Sequence, residues 1–193
     1  MDVVIIDYGA GNIKSLQFAI QRLGLEARLS SDETIIRNAD KVIFPGVGEA
    51  SSAMNKLIAS GLDKVIPFLE QPVLGICLGM QLMCNSSEEN TTGGLRIFDV
   101  DVVKFSPEVK VPQIGWNNIF DLKTALFEGI NDDEFMYLVH SFYAPACTEM
   151  IATTNYETNY ASALQKNNFY GVQFHPEKSS TAGQRILQNF LNL

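Results

Sequence analysis

The sequence Val73-Leu74-Gly75-Ile76-Cys77-Leu78-Gly79-Met80-Gln81 joins an apolar run to a helical pattern through a Gly-x-Cys-x-Gly motif. The apolar run predicts a buried strand, and the motif predicts a sharp strand-to-helix turn that exposes a nucleophile at the top of a sheet. The glycines on either side of Cys77 allow a close approach of backbone that a larger residue would block. A thiol at such a turn indicates covalent acyl chemistry.

Strand and helix patterns alternate on the N-terminal side of this motif. Apolar runs at 3–7, 27–29, 42–44 and 73–76 predict strands, and apolar residues recur at helical spacing between them, first after Asn12, a predicted helix cap. Alternation of this kind predicts an α/β fold of the Rossmann or flavodoxin-like type, with a mostly parallel central sheet and helices on both faces.

The second half of the chain has a different pattern. Short apolar runs with turn residues between them are spaced like hairpins and meanders, which predicts a small antiparallel extension to the sheet. These runs lie at 100–105, 111–120, 135–139, 151–154 and 161–164, and a separate late strand is predicted at 169–174. A helical pattern from Ala182 to Leu191 closes the sequence. With 193 residues and no linker or repeat, we expect one domain over 1–193.

Composition excludes several functional classes. The net charge of −8 argues against a nucleic-acid partner, which needs clustered Lys and Arg, and no apolar run approaches the roughly 20 residues that cross a membrane. The first residues lack the basic segment and cleavage site of a signal peptide.

The three cysteines have no paired spacing and favour a reducing compartment, so we expect a cytoplasmic location. With only two histidines, we expect no metal site.

A thiol nucleophile needs a base, and the two histidines are His140 and His175. His175 follows the strand-like run Val172–Phe174, so we expect it at a strand end, where open α/β sheets place their chemistry. Glu177 can accept the other imidazole N–H and fix the tautomer. Although each residue alone also suits a structural role, the combination predicts a Cys77–His175–Glu177 catalytic triad.

Acyl transfer also needs donors for the oxyanion that develops on the substrate. The backbone N–H of Leu78, at the start of the predicted helix, is one candidate. The loop Pro45-Gly46-Val47-Gly48 leaves a neighbouring strand and offers further candidates at Val47 and Gly48. An ordinary turn between a strand and a helix remains the alternative for this loop.

Over essentially its whole length the chain resembles the class I (triad) glutamine amidotransferases. Within this class it is most similar to the glutaminase subunits of imidazole glycerol phosphate synthase. The Gly-x-Cys-x-Gly and His-Pro-Glu sequences are shared by the whole class and by gamma-glutamyl hydrolases. The narrower similarity is carried by Asp7–Asn12, Pro45–Gly48, Cys77–Gln81, Gly115–Asn117 and His140–Phe142.

The resemblance implies that Cys77 attacks the side-chain amide of L-glutamine, that His175 transfers the protons, and that water hydrolyses the thioester. No cofactor is implied. Because Gln81 lies one helical turn from Cys77, it is placed to face the same cavity. The glutamine-binding positions implied by the resemblance are Gly46, Gln81, Glu89, His140, Ser141 and Phe142.

The resemblance also implies a partner, a (β/α)8-barrel cyclase that forms a heterodimer with the glutaminase. The cyclase uses ammonia to make imidazole glycerol phosphate and AICAR in histidine biosynthesis. Positions that match the partner interface and the ammonia exit are Asn12, Trp116 and Asn117. The glycines of the Pro45–Gly48 loop allow a peptide flip, so we expect weak glutaminase activity without the partner.

Three positions depart from the family pattern. Gln113 stands where many relatives carry His, Phe142 where Tyr is common, and Arg96 where a small residue is common. None of them belongs to the triad, but they leave the partner open. One alternative is an amidotransferase that feeds ammonia to a related barrel protein in amidino-sugar biosynthesis. Others are a stand-alone gamma-glutamyl hydrolase and a binding subunit without catalysis.

Overall fold

A seven-stranded sheet forms the centre of the protein, and the computed structural model describes all 193 residues. In spatial order its strands are β2 (Ala27–Ser30), β1 (Val3–Ile6), β3 (Lys41–Gly46), β4 (Val73–Cys77), β13 (Phe169–Val172), β12 (Thr158–Lys166) and β11 (Met150–Tyr156). The first five strands in this order are parallel, and β12 and β11 add an antiparallel edge. The predicted α/β class and mostly parallel sheet are therefore confirmed.

Five α-helices accompany the strands. They are α1 (Ile13–Arg22), α2 (Glu33–Arg37), α3 (Ala50–Ser60), α4 (Leu78–Leu82) and α5 (Ser180–Asn192). Single 3₁₀ turns lie at Leu62–Lys64, Ile66–Phe68, Glu89–Thr91, Ala125–Phe127 and Pro176–Lys178. Asn12 precedes α1 as predicted, but its side chain makes no capping hydrogen bond. The short helix α2 was not predicted, although Asp32 caps it by accepting a hydrogen bond from the Ile35 N–H.

Alternate residues of the parallel strands point into two separate cores. Val4 and Phe44 face one core, together with residues of α3 and α4. Ile5 and Ile43 face the other core, together with residues of α1 and α5. Because successive side chains of a strand point to opposite faces, a strand covered on both sides must be apolar throughout. This explains why the predicted strands read as continuous apolar runs.

Two smaller sheets flank the central one. A four-stranded sheet has the order β10 (Phe142–Tyr143), β7 (Asp101–Lys104), β5 (Ser86–Ser87) and β6 (Thr92–Gly93). It is mixed, because β10–β7 and β5–β6 are antiparallel and β5–β7 is parallel. A two-stranded antiparallel hairpin consists of β8 (Gln113–Ile119) and β9 (Glu134–His140). The hairpin contacts the end of the central sheet, because the Tyr137 carbonyl accepts a hydrogen bond from the His175 N–H at 2.9 Å.

The ends of the parallel strands bring the predicted motifs to one edge of the sheet. Cys77 ends β4, Gly46 ends β3, and His175 follows the end of β13 by three residues. In the strand register Gly46 lies opposite Cys77, and Val172 lies opposite Ile76. The carboxyl edge of a parallel sheet is the usual site of chemistry in open α/β folds.

Candidate active site

Cys77 occupies a strained turn between β4 and α4. Its backbone has φ 53° and ψ −112°, and its side chain is buried with 7% of the residue exposed. Non-glycine residues rarely adopt positive φ, and such strain is typical of functional sites where the surrounding structure holds it in place. The geometry is that of the predicted nucleophile turn.

Glycine is required on both sides of this turn. A Cβ on Gly79 would lie 2.0 Å from the Phe44 carbonyl oxygen, and a Cβ on Gly75 would lie 2.9 Å from the Met80 nitrogen. The helix α4 therefore lies directly against the backbone of the sheet, and its first N–H group is held beside the Cys77 side chain. This close packing agrees with the predicted reason for the Gly-x-Cys-x-Gly motif.

His175 and Glu177 form a buried pair. His175 Nδ1 donates a hydrogen bond to Glu177 Oε1 at 2.9 Å, and the side chains are 2% and 1% exposed. Burial lowers the pKa of His175, but its interactions with Cys77 and Glu177 outweigh burial and raise that pKa to about 10. The other ring nitrogen, Nε2, is buried and without a hydrogen bond, which leaves it available for proton transfer.

A cavity of about 310 Å³ opens in front of Cys77. Its volume lies within the usual range for small-molecule sites, roughly 300–1,000 Å³. The residues that line it are Val47, Gly48, Cys77, Leu78, Gln81, Glu89, Pro112, Val139, His140, Ser141, Phe142 and His175. Most of the predicted catalytic, oxyanion and glutamine-binding positions therefore meet in one cavity. Gly46 and Glu177 do not line it, but Gly46 pairs with Cys77 in the sheet and Glu177 with His175.

The predicted oxyanion loop packs against the nucleophile turn. A Cβ on Gly46 would lie 2.5 Å from the Gly79 nitrogen, and Gly48 has φ 97°. The Pro45 carbonyl accepts a hydrogen bond from the Tyr8 hydroxyl at 2.8 Å, which fixes the start of the loop. Val47 and Gly48 thus border the cavity on the side of Leu78, where N–H donors to an oxyanion are needed.

Gln81 is an internal residue with 5% exposure. Its Nε2 donates to the Phe142 carbonyl at 2.8 Å and to Gln173 Oε1 at 2.9 Å. Both amide hydrogens are therefore used within the chain, and only Gln81 Oε1 is left for a substrate. An oxygen in this position selects ligands with an N–H donor, as the amide and amino groups of glutamine provide.

His140 is a neutral, fixed histidine. Burial, the main cause, and the nearby His175 lower its pKa to about 4, against the opposing effect of the Phe142 carbonyl. Nδ1 donates to that carbonyl at 2.8 Å, and Nε2 lies 3.3 Å from the Tyr160 hydroxyl. The one hydrogen of the Tyr160 hydroxyl is donated to Oε1 of buried Gln113 at 2.9 Å. His140 therefore shapes the wall at Ser141 and Phe142, and proton transfer falls to His175.

Glu89 has one oxygen committed to the protein. Oε2 accepts a hydrogen bond from the Ala50 N–H at 2.7 Å, in the first turn of α3. A carboxylate at the positive end of a helix is favourable. Since Glu89 also lines the cavity, Oε1 remains available for a cation such as a substrate ammonium group.

The three predicted interface positions lie outside the cavity. Trp116 is 52% exposed and packs edge-on against Tyr137 on the outer face of the hairpin. Asn117 points to the opposite face and donates to the Asn155 carbonyl at 2.9 Å, so it does not share the Trp116 surface. Asn12 lies at the start of α1, which packs against the Pro176–Lys178 turn.

Two residues close to the Cys77 sulfur were not predicted. Gln173 Nε2 donates to Cys77 Sγ at 3.7 Å, and Sγ donates to the Val139 carbonyl at 3.9 Å. Gln173 is the polar residue in an otherwise apolar late strand. Extending the β13–β4 register by one residue beyond Val172 and Ile76 places it beside Cys77. The strand pairing was the missing information, because the sequence alone does not show which strand neighbours β4.

The helices of the structure include none that is both long enough and apolar enough to pass through a membrane. No group of three or more His, Cys, Asp or Glu side chains is arranged to hold a metal ion. The cysteines Cys77, Cys84 and Cys147 are all free thiols.

Similarity to solved structures agrees with the fold. A crystal structure of a glutamine amidotransferase matches with a TM-score of 0.76 at 16% identity, covering 98% of this chain and 97% of that one. PurLQS from Thermotoga maritima matches with a TM-score of 0.72 at 15% identity, covering 99% and 97%. At these identities the likeness establishes the fold alone.

Sequence similarity is much stronger. The family model for class-I glutamine amidotransferases matches residues 4–193. The imidazole glycerol phosphate synthase subunit HisH of Bacteroides thetaiotaomicron is 55% identical, and that of Escherichia coli (strain K12) is 44% identical. In both cases the match covers 100% of this chain and 100% of the relative. The chain therefore belongs to the class-I glutamine amidotransferase family, and within it to the family of imidazole glycerol phosphate synthase subunits HisH.

Proposed function

We propose that this chain is the glutaminase subunit of an imidazole glycerol phosphate synthase. It hydrolyses L-glutamine to glutamate and ammonia through a thioester on Cys77, and it passes the ammonia to a (β/α)8-barrel cyclase. The observation that carries this proposal is the buried His175–Glu177 pair beside a strained Cys77, at the wall of a cavity of about 310 Å³.

The geometry supports an acyl-transfer mechanism in two steps. The Cys77 sulfur attacks the amide carbon of glutamine after its proton passes to His175. His175 then protonates the departing nitrogen, so that the carbon–nitrogen bond breaks, ammonia leaves and a γ-glutamyl thioester remains. In the second step His175 takes a proton from water, the hydroxide attacks the thioester, and glutamate and the free thiol form.

Glu177 stabilises the imidazolium that forms in each step. Because Nδ1 is held by Glu177 at 2.9 Å, the ring presents Nε2 to the reacting atoms. The N–H of Leu78, at the start of α4, supports the oxyanion together with an N–H from Val47 or Gly48. All three of these residues line the same cavity as Cys77.

Substrate recognition follows from the polar groups that the fold leaves free. Gln81 Oε1 and Glu89 Oε1 make no hydrogen bond within the chain and both side chains line the cavity. A neutral amide oxygen accepts from the substrate amide, and a carboxylate binds the substrate ammonium group. Ser141 and Phe142, on the wall fixed by His140, complete the contact with the amino acid.

The partner surface is the outer face of the β8–β9 hairpin. Ile114, Trp116 and Phe135 are 61%, 52% and 54% exposed. In the register, Trp116 lies opposite Tyr137 and Ile114 lies opposite Val139, so these side chains share the outer face. Contiguous exposed apolar side chains with an aromatic centre are typical of protein interfaces.

This face lies directly over the thiol. The Val139 carbonyl contacts Cys77 Sγ, and the Tyr137 carbonyl accepts the His175 N–H. Ammonia released at Cys77 would therefore enter the partner without crossing bulk water. Such a route matters because most ammonia is protonated in neutral water and is then no nucleophile. The cytoplasm, where histidine biosynthesis takes place, is the location that fits this function.

Copurification and coupled turnover test the proposal. The chain and a barrel cyclase from the same genome are mixed, and the complex is isolated by size-exclusion chromatography. Glutamate and imidazole glycerol phosphate are then measured with glutamine and the ribulosyl aminoimidazole-carboxamide nucleotide, with each subunit alone as control. We expect a heterodimer that forms both products in equal amounts, and much slower glutamine hydrolysis by the chain alone.

Three results would contradict the proposal. Rapid cleavage of gamma-glutamyl peptides by the chain alone would identify a stand-alone hydrolase. Ammonia transfer only to a barrel protein of amidino-sugar biosynthesis would assign the chain to that pathway. Unchanged glutamine-dependent output with Cys77→Ala would show that the chain has a binding role without catalysis.

A further inference from the structure

Gln173 is a polar side chain held firmly inside the sheet. It is 0% exposed and lies one residue beyond the end of β13. Its backbone N–H donates to the Ser162 carbonyl of β12 at 2.8 Å. A buried amide with a fixed backbone needs partners for its own polar atoms, and Gln173 finds them in Gln81 and Cys77.

The orientation of the Gln173 amide is set by the Phe142 carbonyl oxygen, which can accept a hydrogen bond but cannot donate one. The Phe142 carbonyl oxygen has no hydrogen to donate, so the Gln81 atom 2.8 Å away must be Nε2. The same Nε2 lies 2.9 Å from the Gln173 side chain, where it needs an acceptor, and that atom is therefore Oε1. The remaining group, Gln173 Nε2, consequently faces Cys77 Sγ at 3.7 Å.

The sulfur thus lies between a donor and an acceptor. The Val139 carbonyl, 3.9 Å from Sγ, can accept a hydrogen bond from a neutral thiol but repels a thiolate. The Gln173 N–H has the opposite preference, because a hydrogen bond to the charged form favours that form. His175 supplies the positive charge on the catalytic side, and Gln173 supplies a neutral donor with no proton to lose.

We propose that Gln173 is a further catalytic residue, which donates from Nε2 to the Cys77 sulfur and stabilises the attacking thiolate. Gln81 has a second role as a positioning residue, because it prevents the Gln173 amide from turning its oxygen toward the sulfur. The inference rests on the proposed function in one respect, since it takes the thiolate of Cys77 as the nucleophile.

The test replaces the donor while preserving the size of the side chain. In Gln173→Glu an oxygen still accepts from Gln81, but an oxygen also faces the sulfur. Gln173→Met removes both polar contacts at similar volume. Each variant is prepared as the full chain without a partner, and alkylation of Cys77 by iodoacetamide is followed against pH by mass spectrometry of the Cys77 peptide. This readout needs no glutamine, so it is independent of the glutaminase assignment.

We expect the half-maximal pH of alkylation to rise in both variants, and more in Gln173→Glu. The alkylation rate near neutral pH and kcat for glutamine hydrolysis should both fall about tenfold in Gln173→Met, the effect of one hydrogen bond to a charged group. KM should change by less than about twofold, because Gln173 does not line the substrate cavity. Gln81→Leu should shift the alkylation profile in the same direction by a smaller amount.

Gln165→Met is the matched control. Gln165 lies on the neighbouring strand β12 and donates to the Tyr170 hydroxyl at 3.0 Å, with no contact to the sulfur. Its alkylation profile and kcat should be unchanged. The inference is overturned if Gln173→Met and Gln173→Glu alkylate with the original pH profile, even if kcat falls, because a loss of that kind reflects packing alone. If Gln173→Glu does not fold, the Gln173→Met and Gln81→Leu profiles decide in the same way.

Discussion

Glu177 Oε1 lies 2.9 Å from His175 Nδ1, and the two side chains are 1% and 2% exposed. Only one residue, Pro176, separates them in the chain, and the 3₁₀ turn at Pro176–Lys178 holds this spacing. The Ser179 hydroxyl donates to the His175 carbonyl at 2.6 Å and so fixes the other side of the turn. A catalytic imidazole is thereby oriented by its immediate sequence neighbours.

Glu177→Gln should remove the negative charge beside His175 and release the ring from its fixed tautomer. The amide keeps the size of the side chain, but it can present an N–H to Nδ1 and so favour the wrong tautomer. We expect kcat for glutamine hydrolysis in the complex to fall by about 10²-fold or more, with little change in KM. The measurement is steady-state glutamate release. Lys178→Gln, on the same turn but on the surface, controls for local disturbance. Equal kcat in Glu177→Gln and the unsubstituted protein would refute the assigned role.

The raised pKa of His175 predicts a pH dependence of stability. Below the ordinary value of 6.5 the folded and unfolded chains both hold the imidazole proton, so stabilisation of the charged form is fully present. Between 6.5 and about 10 only the folded chain holds it, so stability falls as the pH rises through this window. Urea unfolding at several pH values should show a steeper decline for the unsubstituted protein than for His175→Gln. Parallel curves would contradict the raised pKa.

Cys77→Ala should lower the pKa of His175. The interaction with Cys77 is the largest effect that raises this pKa, and without it burial and Glu177 remain as opposing effects. We expect the imidazole of the variant to lose its proton at a lower pH than that of the unsubstituted protein, measured by NMR titration of the ring resonances. An unchanged titration of His175 in Cys77→Ala would contradict the assigned effect of Cys77 on its pKa.

The close packing at the Cys77 turn predicts that replacing Gly79 destabilises the protein. In Gly79→Ala the added Cβ would lie 2.0 Å from the Phe44 carbonyl oxygen and 3.0 Å from its carbonyl carbon, so backbone must shift to admit it. We expect a loss of about 3 kcal/mol or more in the free energy of unfolding. In Gly93→Ala the Cβ meets nothing within 4 Å, so this variant should be close to neutral. Chemical denaturation of both variants checks the prediction, and similar stabilities would contradict the packing argument.

The proposed interface can be tested without disturbing the core. Trp116→Ser should weaken binding of the cyclase by about 30-fold or more, the usual cost of removing an aromatic residue at the centre of an interface. Phe68, which is 70% exposed on the 3₁₀ turn Ile66–Phe68, gives the control Phe68→Ser. Isothermal titration calorimetry with the cyclase measures both. A stronger effect of Phe68→Ser would place the partner on another surface.

The sequence was sufficient to predict the α/β class and the positions of the main strands. Val3–Ile6 and Val73–Cys77 are continuous apolar runs because both faces of these strands are buried. The hydrophobic pattern of the sequence therefore predicts these strands correctly. The short helix α2 was missed because one turn offers no period to detect. Its cap at Asp32 was the only signal.

Site residues that belong to a short sequence motif could be predicted from the sequence. Site residues that are brought together by the pairing of strands could not. The sequences around Cys77 and His175 identified the nucleophile and base, and the structure places both at one cavity. Gln173 required the β13–β4 register. The opposite directions of Trp116 and Asn117 required the hairpin pairing, because adjacent residues of a strand face opposite sides.

A direct measurement of the intermediate tests whether glutamine hydrolysis passes through a thioester on Cys77. The complex with the cyclase is mixed with glutamine, quenched in acid within milliseconds to seconds, and digested for peptide mass spectrometry. We expect a transient γ-glutamyl adduct on the peptide that contains Cys77, which accumulates before steady glutamate release and is absent in Cys77→Ala. Full glutamine turnover without an adduct at Cys77, or an adduct at Cys84 or Cys147 instead, would contradict it.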